Sequence, residues 1–320
     1  MRKIALEEHF LSPGFEDYWL PTMGNVDQKV VSGLLARLKD FDDLRLQAMD
    51  SAGITRAVLS VSGPGVQAER DAATARLRAA AANDFLAGEV GERPDRYSGF
   101  AHLPMQDAKA AADELERCMR ELKFCGAMIN GHTNGQYLDH ASLYPFWERA
   151  QALEAPIYLH PADPVTPSRA LDGHTGLRRA TWEWGFETGS HALRLVFGGH
   201  FDRFPRAKLL LGHLGETLPF LLWRFDSRAG PDFYAVGLKK LPSQYIKDNI
   251  VVATSGMCSA DPLNCTLSAL GSDRVMFAAD YPFESVAEAA HFIDNAPISD
   301  AVREDICFKN TARLLGLPAA

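Results

Sequence analysis

Five titratable side chains stand where short apolar runs of the chain end: Glu7 and His9, then His160, His213 and Asp280. Two carboxylates with two imidazoles form a borderline nitrogen–oxygen donor set, suited to Zn2+ or Mn2+ rather than to Ca2+ or a thiolate-bound metal. Residues two apart in a strand share a face, so Glu7 and His9 project together while Glu8 points the other way. An unpaired imidazole or carboxylate inside a protein costs roughly several kcal/mol. Five of them at run ends call for a cation that offsets the desolvation. Singly, each has a plainer reading: a hydrogen-bonded structural histidine, or, for Asp280 before Tyr281-Pro282-Phe283, a turn residue. Their shared position favours one divalent ion, Zn2+ or Mn2+, held by Glu7, His9, His160 and Asp280, with His213 beside it.

The elements that must position these residues repeat one local event. Short aliphatic and β-branched runs occupy 3–9, 56–62, 97–103, 126–130, 156–160, 208–213, 250–256 and 275–281. Continuous apolar runs suit strands buried on both faces. Between them, helical periodicity covers 67–90, 108–122, 144–153, 215–227, 285–295 and 299–315, with Asp107 as the N-cap of the second. The alternation predicts a single α/β domain over residues 1–320, a (β/α)8 TIM barrel, and no Gly-rich first turn announces an open sheet. Two long connections, 11–44 after strand one and 161–207 after strand five, fall on the face where barrels keep their sites. Their aromatics, Trp19 among them, are candidate substrate walls or packing residues, and His132 is a candidate loop contact to substrate. His102 near the end of the third run either approaches the site or packs, and His191 reads as structural.

Composition excludes other classes. With 320 residues, 47% hydrophobic and 23% charged, and a net charge of −8, the chain lacks the basic footprint of a nucleic-acid binder. No stretch approaches the roughly 18 apolar residues of a membrane span. Paired carboxylates at Glu7-Glu8 come too early for a signal peptide. Five cysteines without a CxxC pair suit a reducing cytoplasm, and Cys258 with Cys265 reads as packed thiols rather than a metal pair.

Four separated motifs carry a family resemblance. Ala5-Leu6-Glu7-Glu8-His9-Phe10, Tyr158-Leu159-His160-Pro161, Gly212-His213-Leu214-Gly215-Glu216 and Asp280-Tyr281-Pro282-Phe283-Glu284 resemble the decarboxylase branch of the amidohydrolase superfamily. That branch holds aminocarboxymuconate-semialdehyde and dihydroxybenzoate decarboxylases, and the Glu-x-His form of the first motif is most similar to γ-resorcylate decarboxylases. Stretch 130–139 looks more like the 5-carboxyvanillate decarboxylases, which have alanine where this chain has His9. The resemblance implies metal ligation by Glu7, His9, His160 and Asp280, and a catalytic His213 oriented by Glu216. It implies substrate contacts from Asn130 and Arg224, the latter sometimes across a subunit boundary, and a homodimer or homotetramer.

The implied reaction is nonoxidative decarboxylation of a hydroxylated benzoate such as 2,6-dihydroxybenzoate. The substrate would chelate one ion through its carboxylate and neighbouring phenolate, and Asp280 would protonate the ring carbon. A second reading keeps the metal but hydrolyses or hydrates a lactone or enol acid. A third, a non-catalytic metal-binding scaffold, leaves the charged cluster unexplained. Neither His-x-His on strand one nor a strand-four lysine is present, which disfavours a binuclear hydrolase.

Overall fold

The first strand, β1 (Lys3–Phe10), is buried along its whole length, as a strand covered on both faces must be. It pairs in parallel with β2 (Ile54–Val61), and β2 pairs with β3 (Tyr97–Gly99). A second parallel series runs β4 (Ala101–His102), β5 (Ala127–Asn130), β6 (Pro156–His160), β7 (Lys208–Leu211), β8 (Ile250–Ala253) and β9 (Val275–Met276). The computed structural model describes residues 1–230 and 237–318.

The expected third strand is one extended stretch in two halves. Its first half pairs with β2. At Phe100 the N–H still reaches the Leu59 carbonyl, and at Ala101 the N–H has turned to Gly126. Backbone bonds also join the two ends of the series. The Leu6 N–H donates to the Phe277 carbonyl at 3.1 Å, the His9 N–H donates to Tyr281 at 2.8 Å, and Leu6 bridges Ala278. The sheet therefore closes on itself as the expected α/β barrel.

Side chains sort into two layers. Ile4, Leu6, Val58, Met128, Tyr158, Leu210, Val251, Ala253 and Ala278 pack together inside the cylinder. Ala5, Ala57, Leu59, Ala127, Ile129, Leu159, Leu209 and Val252 pack outward against the helices.

Those helices obey local rules. Asp71 caps Ala72–Glu92 by accepting the Thr74 N–H, so this helix starts later than its expected beginning at 67. Its buried stripe of Ala75, Ala79, Ala82 and Leu86 lets it lie close to the sheet. Asp107 caps Ala108–Arg120 as expected, through the N–H groups of Lys109 and Ala110. The long connections carry helices of their own: Gln28–Lys39 in the first and Glu183–Phe197 in the second. The expected helix 299–315 is interrupted by a π-turn, Asp305–Lys309, where the Ile306 carbonyl accepts the Phe277 N–H of the last strand's continuation.

One polar side chain ties a helix to the upper barrel. The Asn83 amide donates to the His102 carbonyl at 2.9 Å and accepts the His102 N–H at 2.8 Å, replacing ladder bonds that the short β4 lacks. Asn83→Ala strands both backbone groups, so urea unfolding is expected to show a loss of about 2–4 kcal/mol. A loss under about 0.5 kcal/mol would contradict this role.

Candidate metal centre

Strict alternation along β1 would not place Glu7 and His9 inside the barrel. Leu6 already points inward, and the next inward residue by parity is Glu8. The chain resolves this with a bulge: the β1–β2 register shifts between Ala5 and Glu8, and Glu7 takes a left-handed φ of 59°. Leu6, Glu7 and His9 then face the interior, while Phe10 packs outward. The outward Glu8 carboxylate accepts the Ala279 N–H at 2.9 Å. Burial pushes Glu8 up to about 8 despite that bond and the Arg45 guanidinium, so it stays protonated at neutral pH.

Across the barrel mouth, His160 ends β6 and Asp280 follows β9 with its own left-handed φ of 59°. One ligand atom from each of Glu7, His9, His160 and Asp280 lies within 4.8 Å of the others. His9 Nε2 is 3.3 Å from Asp280 Oδ1, and His160 Nε2 is 3.6 Å from Glu7 Oε1. Glu7 Oε1, His9 Nε2 and Asp280 Oδ1 are buried with no hydrogen-bond partner. A cation about 2.1 Å from each donor would space neighbouring donors by roughly 3.0–3.4 Å, close to these separations. The donor set therefore fits one divalent ion.

The outer atoms of the ligands are held. His160 Nδ1 lies 2.9 Å from the Pro161 carbonyl, which makes Nδ1 the donor and frees Nε2 as a ligand atom. His9 Nδ1 lies 3.3 Å from Ser60 Oγ. Arg45, itself buried, donates to the His9 carbonyl at 2.6 Å and stands over the Tyr281 ring, fixing the backbone behind two ligands.

Charge follows burial and neighbours. Burial pulls the His9 and His160 imidazoles down to about 4, which keeps them neutral and able to ligate. Burial works against the Glu7 carboxylate, but the imidazoles of His213, His160 and His9 and a bond from Ser255 hold it below its usual range. Asp280, pressed by burial and by Glu7, is pushed up to about 8.

The expected seventh element changes character before its end. β7 stops at Leu211, and residues 213 to 217 all carry positive φ, from 53° at His213 to 86° at Gly215. A left-handed conformation costs an L-residue about 1–2 kcal/mol, so this turn is held by its surroundings. It brings His213 Nδ1 to 2.7 Å from Glu216 Oε1. Burial pulls His213 down, but the carboxylates of Glu216, Glu7 and Asp280 outweigh it and push the imidazole up to about 10.

The other expected site residues divide. Asn130 pairs in register with His160 and is buried, with its Nδ2 donating to Gln67 Oε1 at 3.4 Å and its Oδ1 unpartnered. His132 stands at the mouth, 3.1 Å from the Asp163 carbonyl. Trp19 is 1% exposed and packs in the apolar core, a place in the packing rather than on an open wall. Arg224 is exposed on the helix Leu218–Ala229; its carbonyl accepts the Ser227 hydroxyl at 3.1 Å, and its side chain makes no hydrogen bond or ion pair among the described residues. The structure does not bring it to the cluster. His102 packs, accepting the Val66 N–H at 2.9 Å, and His191 accepts the Leu138 N–H at 2.8 Å.

Sequence reasoning overlooked Tyr158 and Ser255, which both donate to Glu7 Oε2. Tyr158 sits two residues before His160, so strand alternation alone places it on the ligand face. Arg45 gave no comparable signal, because it lies in a helix whose contact with β1 is purely tertiary.

Comparison with known proteins agrees with this geometry. Residues 26–317 match the family model described as Amidohydrolase. The chain is 42% identical over 327 residues to a γ-resorcylate decarboxylase of Polaromonas sp. strain JS666, covering 98% of each sequence. It superposes with a TM-score of 0.93 on a crystal structure of 2,6-dihydroxybenzoate decarboxylase complexed with 2,6-dihydroxybenzoate, at 39% identity over 99% of this chain and 100% of that one. A dihydroxybenzoic acid decarboxylase from Polaromonas sp. JS666, solved with manganese and the inhibitor 2-nitroresorcinol, gives 0.92 at 42% identity, covering 99% and 98%. A closed parallel barrel with this donor cluster at its mouth, and relatives of this likeness along the whole chain, place the protein in the amidohydrolase family, among its γ-resorcylate-type decarboxylases.

Proposed function

We propose that this protein removes CO2 from a hydroxylated benzoate of the 2,6-dihydroxybenzoate type, using one divalent ion held by Glu7, His9, His160 and Asp280. The observation that carries the reading is the set of buried, partnerless ligand atoms at the barrel mouth. Likeness to named decarboxylases supports the substrate class. Manganese in a related structure favours Mn2+ over the equally suited Zn2+.

When bound, the ion supplies Lewis acidity that fixes the carboxylate and an adjacent phenolate oxygen of the substrate. The chain's own residues do the rest. Asp280, placed to touch both the ion and the ring, is the carboxyl that gives a proton to the ring carbon that bears the carboxylate. A ring C–H bond forms, the electron pair of the breaking C–C bond returns to the ring, and CO2 leaves. His213, kept protonated by Glu216, places positive charge beside the oxygen that carries phenolate charge. Asn130 Oδ1 offers an acceptor to a substrate hydroxyl, and His132 lines the approach.

Residues 1–320 act as one domain in this reading. Phe220 and Trp223 on the helix Leu218–Ala229 are 78% and 76% exposed beside Arg224. Such a patch supports a homodimer or homotetramer in which Arg224 meets substrate carboxylate in a neighbouring subunit. No described helix is long and apolar enough to cross a membrane, and all five cysteines are free, which supports a cytoplasmic location.

The direct test supplies 2,6-dihydroxybenzoate to metal-reconstituted protein and follows CO2 with ultraviolet loss of the acid. Release is expected, is abolished by chelation, and returns with Mn2+. Incorporation of labelled water without CO2 would instead favour a hydrolase or hydratase. Asp280→Asn should lower turnover by about 10²–10⁴-fold with measurable metal retained, and near-normal turnover would remove the proton-donor role. Glu216→Gln deletes the carboxylate that favours the His213 imidazolium. The imidazole then loses its proton at lower pH, so the alkaline limb of kcat/KM is expected to move to lower pH. An unmoved limb would separate Glu216 from that titration.

A further inference from the structure

Glu7 does not present its two oxygens equally. Oε1 is buried, unpartnered, and faces His160 Nε2 at 3.6 Å. Oε2 accepts the Tyr158 hydroxyl at 2.5 Å and also the Ser255 hydroxyl. A carboxylate oxygen has about two lone-pair sites, so two O–H donors leave Oε2 with nothing for a cation.

Backbone closes the third side of the carboxylate. A Cβ on Gly212 would stand 2.6 Å from Oε2, 3.0 Å from Oε1 and 2.8 Å from Ser255 Oγ, so only glycine admits this arrangement. Ser255 Oγ also accepts the His213 N–H at 3.2 Å, so one hydroxyl spans the ligand and the left-handed turn. Tyr158 rises from the strand that ends in His160.

We infer that Tyr158 and Ser255 are positioning residues that restrict Glu7 to binding the ion through Oε1 alone. The inference rests on the single-ion reading of Glu7, His9, His160 and Asp280. Its consequence is a coordination site left open. A carboxylate bound through both oxygens would occupy an additional position at the ion, in competition with the two oxygens of an ortho-hydroxybenzoate. With Oε2 committed to the protein, that position stays with exchangeable water until substrate arrives.

The test is Mn2+ binding to the full-length protein, with free Mn2+ read by electron paramagnetic resonance and the waters on bound Mn2+ counted by water-proton relaxation. Tyr158→Phe and Ser255→Ala should each weaken Mn2+ binding by about 10–100-fold, the usual effect of losing an outer partner. The double variant frees Oε2, and its bound Mn2+ should carry fewer exchanging waters than wild type. An unchanged water count would overturn the inference even if affinity fell, because packing damage alone would do that. Should the double variant not fold, Tyr158→Phe, which keeps the ring, is read by the same relaxation measurement. Absence of Mn2+ binding in wild type would defeat the single-ion reading itself.

Discussion

Desolvation of the ligand cluster governs this molecule. Glu7 and His9 have no exposure at all, and three of the atoms that face one another make no hydrogen bond. Unpaired polar atoms in such a place cost roughly 1–3 kcal/mol each, and an unpaired charge costs more. Without a cation the protein offsets part of this by neutralising the histidines and raising Asp280. With one, each orphaned atom gains a partner at once. Much of the surrounding architecture serves to keep those atoms from finding any other.

That service is visible in the backbone. Glu7 and Asp280 adopt left-handed conformations, and so does the whole turn from His213 to Thr217. Such conformations persist only where the scaffold over-determines them. Here the scaffold is a cylinder closed by bonds between Leu6 and Phe277 and between His9 and Tyr281, so two ligand-bearing segments are stitched to each other immediately beside the ligands. Arg45 behind His9 and Ser255 beneath the His213 turn continue the same pattern. Rigid strand ends hold the ligand cluster.

Much of this was legible in the sequence because buried parallel strands leave a strong apolar trace. All eight runs correspond to barrel strands, and the four residues of the ligand cluster stand at the ends of those runs. The pairing of Glu7 with His9 was reached by spacing alone, yet the physical cause is a bulge, because unbroken alternation from Leu6 would have turned Glu8 inward. A register shift leaves no mark in hydrophobicity. The run 208–213 predicts strand to its end, but the strand stops at Leu211 and a left-handed turn begins at His213, because several non-glycine residues there adopt a conformation that composition does not announce. Tyr158 could have been found by counting two back from His160. Arg45 could not, since its meaning depends on a tertiary contact between a helix and β1. Trp19, for which the long connection leaves a substrate wall and a packing role both open, lies in the core through the packing of its short helix.

The most direct measurement is a crystal structure of the Mn2+-loaded protein with anomalous data collected at the manganese edge. One peak is expected, about 2.0–2.3 Å from Glu7 Oε1, His9 Nε2, His160 Nε2 and Asp280 Oδ1 together. A peak elsewhere, or one bonded to fewer than three of these side chains, would contradict the convergence on which the account stands.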